Sequence, residues 1–152
     1  MKTILKKELV LTHKDEKTNI EIPFNIDEHS KALKIHFSYS PKILKDENKA
    51  IQLVEECIFR DAGKFSKEKE YKNTTEFLPL KNLVTVCIYS PDGYCGAAHR
   101  HDSEQNILLS ENLSTDGFQP TKIVVGQWKL VLNAHCVITD CCNCVVEIET
   151  EN

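Results

Sequence analysis

Apolar and polar residues alternate along most of the chain. Ile20, Ile22 and Phe24 are interleaved with Asn19, Glu21 and Pro23, and Leu33, Ile35, Phe37 and Tyr39 with Lys34, His36 and Ser38. A period of two puts one set of side chains on a core and the other in water, which is the signature of a half-buried β-strand. Leu9 and Leu11 share a parity near the start. Val84, Val86 and Ile88 lie in a segment apolar on both faces, which predicts a central strand. The longest predicted strand begins at Trp128, with Trp128, Leu130, Leu132, Ala134 and Cys136 inward. Val145 to Glu149 closes the chain, with Val146 and Ile148 inside.

Turn residues separate these runs. Pro91-Asp92-Gly93 suits a tight turn, because proline presets φ and glycine accepts positive φ. Gly126-Gln127 between Ile123-Val124-Val125 and Trp128 predicts a hairpin. One segment changes period. From Asp46 to Asp61 the apolar residues are Ala50, Ile51, Leu53, Val54, Cys57 and Ile58, which share a helical face. Asp46 is placed to cap the start, and Gly63 follows the end. The lysine-rich stretch Lys64 to Thr75 reads as a mobile surface loop. The expectation is a mainly β, antiparallel β-sandwich with one inserted α-helix around residues 46–61, forming a single domain over residues 1–152.

At 152 residues, the chain is long enough to build a core without disulfides or a structural metal. Up to Glu70 it carries 14 basic and 13 acidic residues, a balance of +1, and from Tyr71 onward 5 and 10, a balance of −5. Neither part has the basic footprint of a nucleic-acid binder, and an acidic membrane surface is disfavoured for the same reason. Lysines interrupt the first apolar residues, so no signal-peptide core is read, and no window is apolar enough for a membrane span. A cytoplasmic location follows as the expectation. The triplets Asn73-Thr74-Thr75 and Asn112-Leu113-Ser114 are then chance matches to a glycosylation pattern. The seven cysteines, in a reducing compartment, are expected as thiols or metal ligands.

Candidate chemistry falls in two places. In Tyr94-Cys-Gly-Ala-Ala-His-Arg-His101, His99 and His101 share a face if the backbone is extended, so they can chelate a metal, with Asp102 and Glu104 as oxygen donors. The alternative is a loop with solvated histidines. In the second cluster, His135 and Cys136 precede Cys141, Cys142 and Cys144, and Cys141 with Cys144 has the C-x-x-C spacing of half a zinc site. Cys95 or His99 can complete it only through the fold. The alternative places Cys136 and Cys144 in the core on adjacent strands, with Cys141 and Cys142 in the turn between them. Cys95 and His99 form a candidate nucleophilic pair without an identifiable third group. Glycines are scattered singly, so no phosphate-binding loop is read. Trp128, Phe118 and Tyr94 are candidates for an aromatic ligand platform, although Trp128 at the start of an apolar strand suits the core.

The runs LVTVCIYSPDGYCGAAHRHDSEQNILLSE (Leu83 to Glu111) and DGFQPTKIVVGQWKLVLNAHCVITDCCNCVVEIE (Asp116 to Glu149) resemble the N-terminal β-sandwich domain of the CehA/McbA-type PHP metal-dependent phosphoesterases. The shared features are the "YSPDGY" turn after a strand, the small-residue "GAAHRH" segment and the strand marked by Gly126, Trp128, Leu130 and Leu132. LKIHFSYSP (Leu33 to Pro41) and NKAIQLVEECI (Asn48 to Ile58) also look similar. The resemblance implies a jelly-roll-like sandwich and an accessory role. Catalysis in that family belongs to a downstream PHP domain that begins with an H-x-H pair. His99-Arg100-His101 matches H-x-H literally but follows Gly-Ala-Ala instead of an apolar strand, and only His135 lies downstream. No catalytic residue is therefore carried over.

Three readings follow. The first is a non-catalytic module that binds a partner domain or a small ligand such as a sugar through Tyr94, His99, Arg100, His101 and Asp102, with Arg100 as the anion contact. The second is a metal-binding protein or small metallohydrolase, with zinc on His99, His101, Cys141 and Cys144. The third is a split PHP-enzyme subunit acting in trans with a PHP-domain protein. Self-association is compatible with all three.

Overall fold

The computed structural model describes residues 1–62, 78–98 and 102–152. The strands are β1 (Lys2–Leu11), β2 (Thr18–Ile26), β3 (Ala32–Ser40), β4 (Leu83–Ser90), β5 (Gly93–Ala98), β6 (Glu104–Ser110), β7 (Gly126–Cys136) and β8 (Cys142–Glu151). A 3₁₀ turn, His13–Asp15, links β1 to β2, and helix α1 (Glu47–Ala62) lies between β3 and β4. One sheet has the order β1-β8-β3-β6 and the other β2-β7-β4-β5. The observed pairs within the sheets are antiparallel. This is the jelly-roll order of a two-sheet β-sandwich.

The order follows from nesting. β4 and β5 form a hairpin across Pro91-Asp92, with Gly93 at φ +134°. Moving outward in sequence, β3 pairs β6, β2 pairs β7 and β1 pairs β8. Successive pairs alternate between the sheets, so a ribbon folded at one turn is rolled into two layers. The β8–β3 and β7–β4 pairings then join the pairs side by side.

The interior is the set that parity predicts. Leu33, Ile35, Phe37 and Tyr39 face Val84, Val86, Ile88, Trp128, Leu130 and Leu132 within one hydrophobic cluster. Trp128 is fully buried, lies 6.2 Å from Phe24 between ring centroids, and donates Nε1–H to the Val124 carbonyl at 2.9 Å. Val146 and Ile148 are buried, as read. Cys136 departs from that reading, because it is half-buried at the end of β7.

Exposed sheet edges invite pairing with other chains, and this fold limits them. β1 carries Lys6 and Lys7, and β2 carries Pro23, a residue tolerated on an edge strand. The free sides of β5 and β6 are covered by the loop that precedes β7. The Gly117 carbonyl accepts Ala97 N–H at 3.1 Å, Gln119 N–H reaches the Cys95 carbonyl at 2.8 Å, and Thr121 N–H reaches the Ser110 carbonyl at 2.8 Å. Covering these edges is the physical reason that Ile123 to Val125 do not form the predicted hairpin. Ile123 is buried and makes an isolated bridge to Ser30, while β7 starts at Gly126 and pairs β2 and β4.

The inserted helix is observed where its period places it. Asp46 Oδ1 accepts the Lys49 N–H at 3.1 Å, the expected cap. Ala50 and Val54 are buried, Ile51 and Leu53 half-buried, and Cys57 is exposed. Gly63, the stretch Lys64 to Thr75 and the Ile58 side chain lie outside the described residues. The adjacent-strand placement of Cys136 and Cys144 is not observed. β7 and β8 belong to opposite sheets, and residues 137–141 cross between them, leaving Cys142 as the first residue of β8.

Candidate functional site

Inward parity in the second sheet determines what points outward. With Val84, Val86 and Ile88 inside, β4 presents Thr85, Cys87 and Tyr89 on the far face. With Trp128, Leu130 and Leu132 inside, β7 presents Lys129, Val131 and Asn133, then His135. A register shift between Ile88 and Tyr89 lets Cys95 turn into the core while Tyr94 stays opposite Tyr89. Such a bulge re-aims a side chain without ending the strand.

This register assembles a corner of aromatic and charged groups. Tyr89 pairs across to both Tyr94 and Lys129. The tyrosine rings lie 5.3 Å apart at 55°, and Lys129 Nζ sits 4.8 Å from the Tyr89 ring centroid. Lys129 also donates to Glu21 Oε1 at 3.0 Å. Tyr94 is 57% exposed, so its ring is held in place yet open to solvent. Partial burial, then the neighbouring Cys87 and Tyr89, push the Tyr94 hydroxyl pKa upward, so it stays a neutral donor near neutral pH.

A polar strip continues along the same face. Thr85 Oγ1 lies 2.8 Å from His135 Nε2, and Asn133 Nδ2 donates to Thr85 Oγ1 at 3.3 Å and to Cys87 Sγ at 3.0 Å. The histidine is thus engaged with a threonine, and the Cys87 thiol with an amide. Chemically, the face offers ring faces for apolar C–H surfaces, with an ammonium, a carboxylate and hydroxyls around them.

The sequence-predicted residues do not form one patch. Tyr94 belongs to this corner. His99, Arg100 and His101 lie outside the described residues. Asp102 sits beyond the opposite end of β5, and from Tyr94 to Ala98 alone the strand covers about 13 Å. There its carbonyl accepts the Gln105 side chain at 3.1 Å, and its charge acts on Tyr39 and Lys42. Glu104 Oε1 is 3.0 Å from His36 Nε2. Cys141 is exposed just before β8, whereas Cys144 is fully buried within the sandwich, so the C-x-x-C pair is divided between surface and interior. Among the described residues, no group of three or more His, Cys, Asp or Glu side chains is placed to hold a metal ion. Trp128 and Phe118 are core residues, and the aromatic partner of Tyr94 is Tyr89.

A second polar cluster closes the end of the sandwich near Asp102. Asn82 is fully buried; its Nδ2 donates to the Pro41 carbonyl at 2.9 Å and to Thr139 Oγ1 at 2.8 Å, and its Oδ1 accepts Ile138 N–H at 2.7 Å. Lys42 Nζ donates to Tyr39 Oη at 2.6 Å and to the Asn82 carbonyl at 3.0 Å. Burial pushes the Tyr39 pKa up to about 12, and burial followed by repulsion from Lys81 lowers that of Lys42. A hydrogen bond from Cys144, helped by Asn82 and Lys42, pulls the Cys142 thiol below its ordinary value against the effect of burial. Sequence reading missed this cluster. Its one local signal is a Lys81-Asn82 pair between two apolar runs.

The molecule is therefore a jelly-roll β-sandwich with an aromatic, charged corner on one outer face. Compared with known protein families and with curated proteins, the chain matches none. Among the described residues, no helix is long and apolar enough to cross a membrane.

Proposed function

We propose that this chain is a non-catalytic ligand-binding module and that its ligand is a sugar held at the Tyr89–Tyr94–Lys129 corner. One observation carries the reading: a tyrosine that is more than half exposed is fixed by a second tyrosine, beside a lysine–glutamate pair, on a rigid sheet. Sugars present an apolar C–H face ringed by hydroxyls. Stacking serves the face, and Lys129, Glu21 and the tyrosine hydroxyls serve the rim. The jelly-roll order agrees with the accessory role implied by the resemblance to the N-terminal domains of PHP phosphoesterases, and a PHP-domain protein is the partner this reading favours.

The test is an amide-resonance titration with neutral di- to tetrasaccharides of glucose, galactose and mannose. Shifts clustered at Tyr89, Tyr94 and Lys129, weakened about tenfold (about 1.4 kcal/mol) by Tyr94→Ala, support the reading. Unmoved resonances at this corner with every sugar at millimolar concentration reject it. Tyr94 is exposed, so its replacement leaves the fold intact.

A further inference from the structure

The end of the sandwich where β3 begins and β6 finishes holds an open cleft that the tyrosine corner does not use. Its volume is about 730 Å³, within the range of about 300–1,000 Å³ found for small-molecule sites. Four segments wall it: the link from β2 to β3, the turn after β6, the loop before β7 and the chain just past β8. Backbone hydrogen bonds tie these walls together. Ser30 N–H donates to the Ile123 carbonyl at 3.3 Å, Lys31 N–H to the Glu151 carbonyl at 2.6 Å, and Thr121 N–H to the Ser110 carbonyl at 2.8 Å. The Ile123 side chain is part of the core cluster, which anchors the loop before β7.

The backbone here sets two like charges against each other. Ser30 and Ile123 form an antiparallel bridge, so the residues next to them, Lys31 and Lys122, stand across from one another, and both line the cleft. Like charges opposed in this way are destabilising. Both lysines are exposed, and neither side chain makes a hydrogen bond or an ion pair. The same is true of His29, Glu111 and Asn112 on the other walls. The cleft thus gathers uncommitted groups: two ammonium groups against one carboxylate, with an imidazole and an amide beside them. One excess positive charge suits a monoanion, and an ammonium binds a carboxylate through charge-assisted hydrogen bonds. The Glu111 carboxylate repels a second negative charge but accepts from hydroxyl groups, and the amide and the imidazole both donate and accept.

We propose that this cleft binds a monoanionic sugar, a hexuronate, with its carboxylate on Lys31 and Lys122 and its ring hydroxyls on Glu111, Asn112 and His29. The carboxylate relieves the repulsion between the lysines, and the hydroxyls engage the groups that a simple anion leaves idle. Among the described residues no aromatic side chain lines the cleft, so attraction rests on charge and selectivity on the hydroxyls. The site shares no side chain with the Tyr89–Tyr94–Lys129 corner and stands or falls independently of it.

The experiment titrates the full chain with sodium glucuronate, sodium galacturonate, glucose and sodium acetate at one ionic strength, and follows amide resonances. At least one uronate is expected to move Lys31, Glu111, Asn112 and Lys122, with acetate and glucose each at least about tenfold weaker there. Lys122→Met weakens uronate binding about tenfold and does not lower the melting temperature, because it removes a charge opposed to Lys31. Glu111→Gln keeps the lysine pair and narrows the gap between uronate and acetate. Tyr94→Ala leaves uronate binding at the cleft unchanged, which separates this site from the tyrosine corner. Unmoved cleft resonances with both uronates at millimolar concentration overturn the proposal. So does acetate binding as tightly as uronate, which would mark an adventitious ion only, or unchanged uronate binding in folded Lys122→Met.

Discussion

Replacing Asn82 with alanine removes the most deeply buried polar side chain among the described residues. The side chain is fully buried and ties three segments together: the turn after β3 through Pro41, the residues just before β4 where it sits, and the crossover into β8 through Ile138 and Thr139. Alanine leaves the Ile138 N–H and the Pro41 carbonyl without these partners. A buried group left unsatisfied costs about 1–3 kcal/mol, so two cost about 2–6 kcal/mol. A domain of this type is stable by only about 5–15 kcal/mol. At about 2–4 °C per kcal/mol for a chain this long, the melting temperature falls by roughly 5–20 °C. Urea denaturation followed by the fluorescence of the buried Trp128 measures the loss directly. Asn82→Asp keeps an acceptor for Ile138 N–H but loses the donor to Pro41, so it should fall between alanine and the wild type. A melting temperature within 2 °C of the wild type for Asn82→Ala, on the order expected for a neutral surface change, refutes the reasoning, because the network would then not hold the loops together.

Other substitutions test other links. Gly96 has φ +136°, and a methyl group there would run into the Gly117 carbonyl oxygen and approach the Phe118 Cα at 2.6 Å, so Gly96→Ala should cost about 3 kcal/mol or more by calorimetry. Tyr39 titrates near pH 12 in the folded chain and near 10 unfolded, so its contribution is complete below pH 10 and disappears as pH rises through 12. That contribution is at most about 3 kcal/mol, and stability profiles from pH 9 to 12 should lose this alkaline limb in Tyr39→Phe. Asp46→Ala removes the cap on α1 and should cost about 1 kcal/mol by urea titration, an effect absent in Asp46→Asn.

The legible part of this fold is what local periodicity reports. Leu33 through Tyr39, Trp128 through Ala134, and Val146 with Ile148 occupy the predicted side of their strands, because a strand with one buried face must alternate. Asp46 and α1 were legible for the same reason, with a period of 3.6 and a cap. Pairing was not. Cys136 and Cys144 are eight residues apart and lie on opposite sheets, a fact determined by how nested pairs roll up and not by anything between them. The Tyr89–Tyr94–Lys129 corner depends on two registers, one across a tight hairpin with a bulge and one between strands forty residues apart. Parity marks Tyr89 and Lys129 as surface residues; only the register makes them neighbours. Asn82 was missed because a polar residue beside a lysine reads as solvated, and its partners come from Pro41, Ile138 and Thr139, in two other loops.

Rolling a ribbon into two layers also separates its chemistry. The β4–β5 turn carries Tyr89 and Tyr94 to one end of the second sheet, while Asn82, immediately before β4, meets Lys42 and Thr139 at the other. Tyr89 is six residues from Leu83, about 20 Å along an extended strand. A ligand on the tyrosines therefore shares no side chain with the Asn82 network, and screening by solvent leaves little direct coupling over that span. Saccharide binding should shift the amide resonances of Tyr89, Tyr94 and Lys129 and leave those of Asn82, Ile138 and Thr139 in place. Movement of the Asn82 resonances on titration would show instead that β4 responds as a unit, and the independence assumed for its two ends would have to be abandoned.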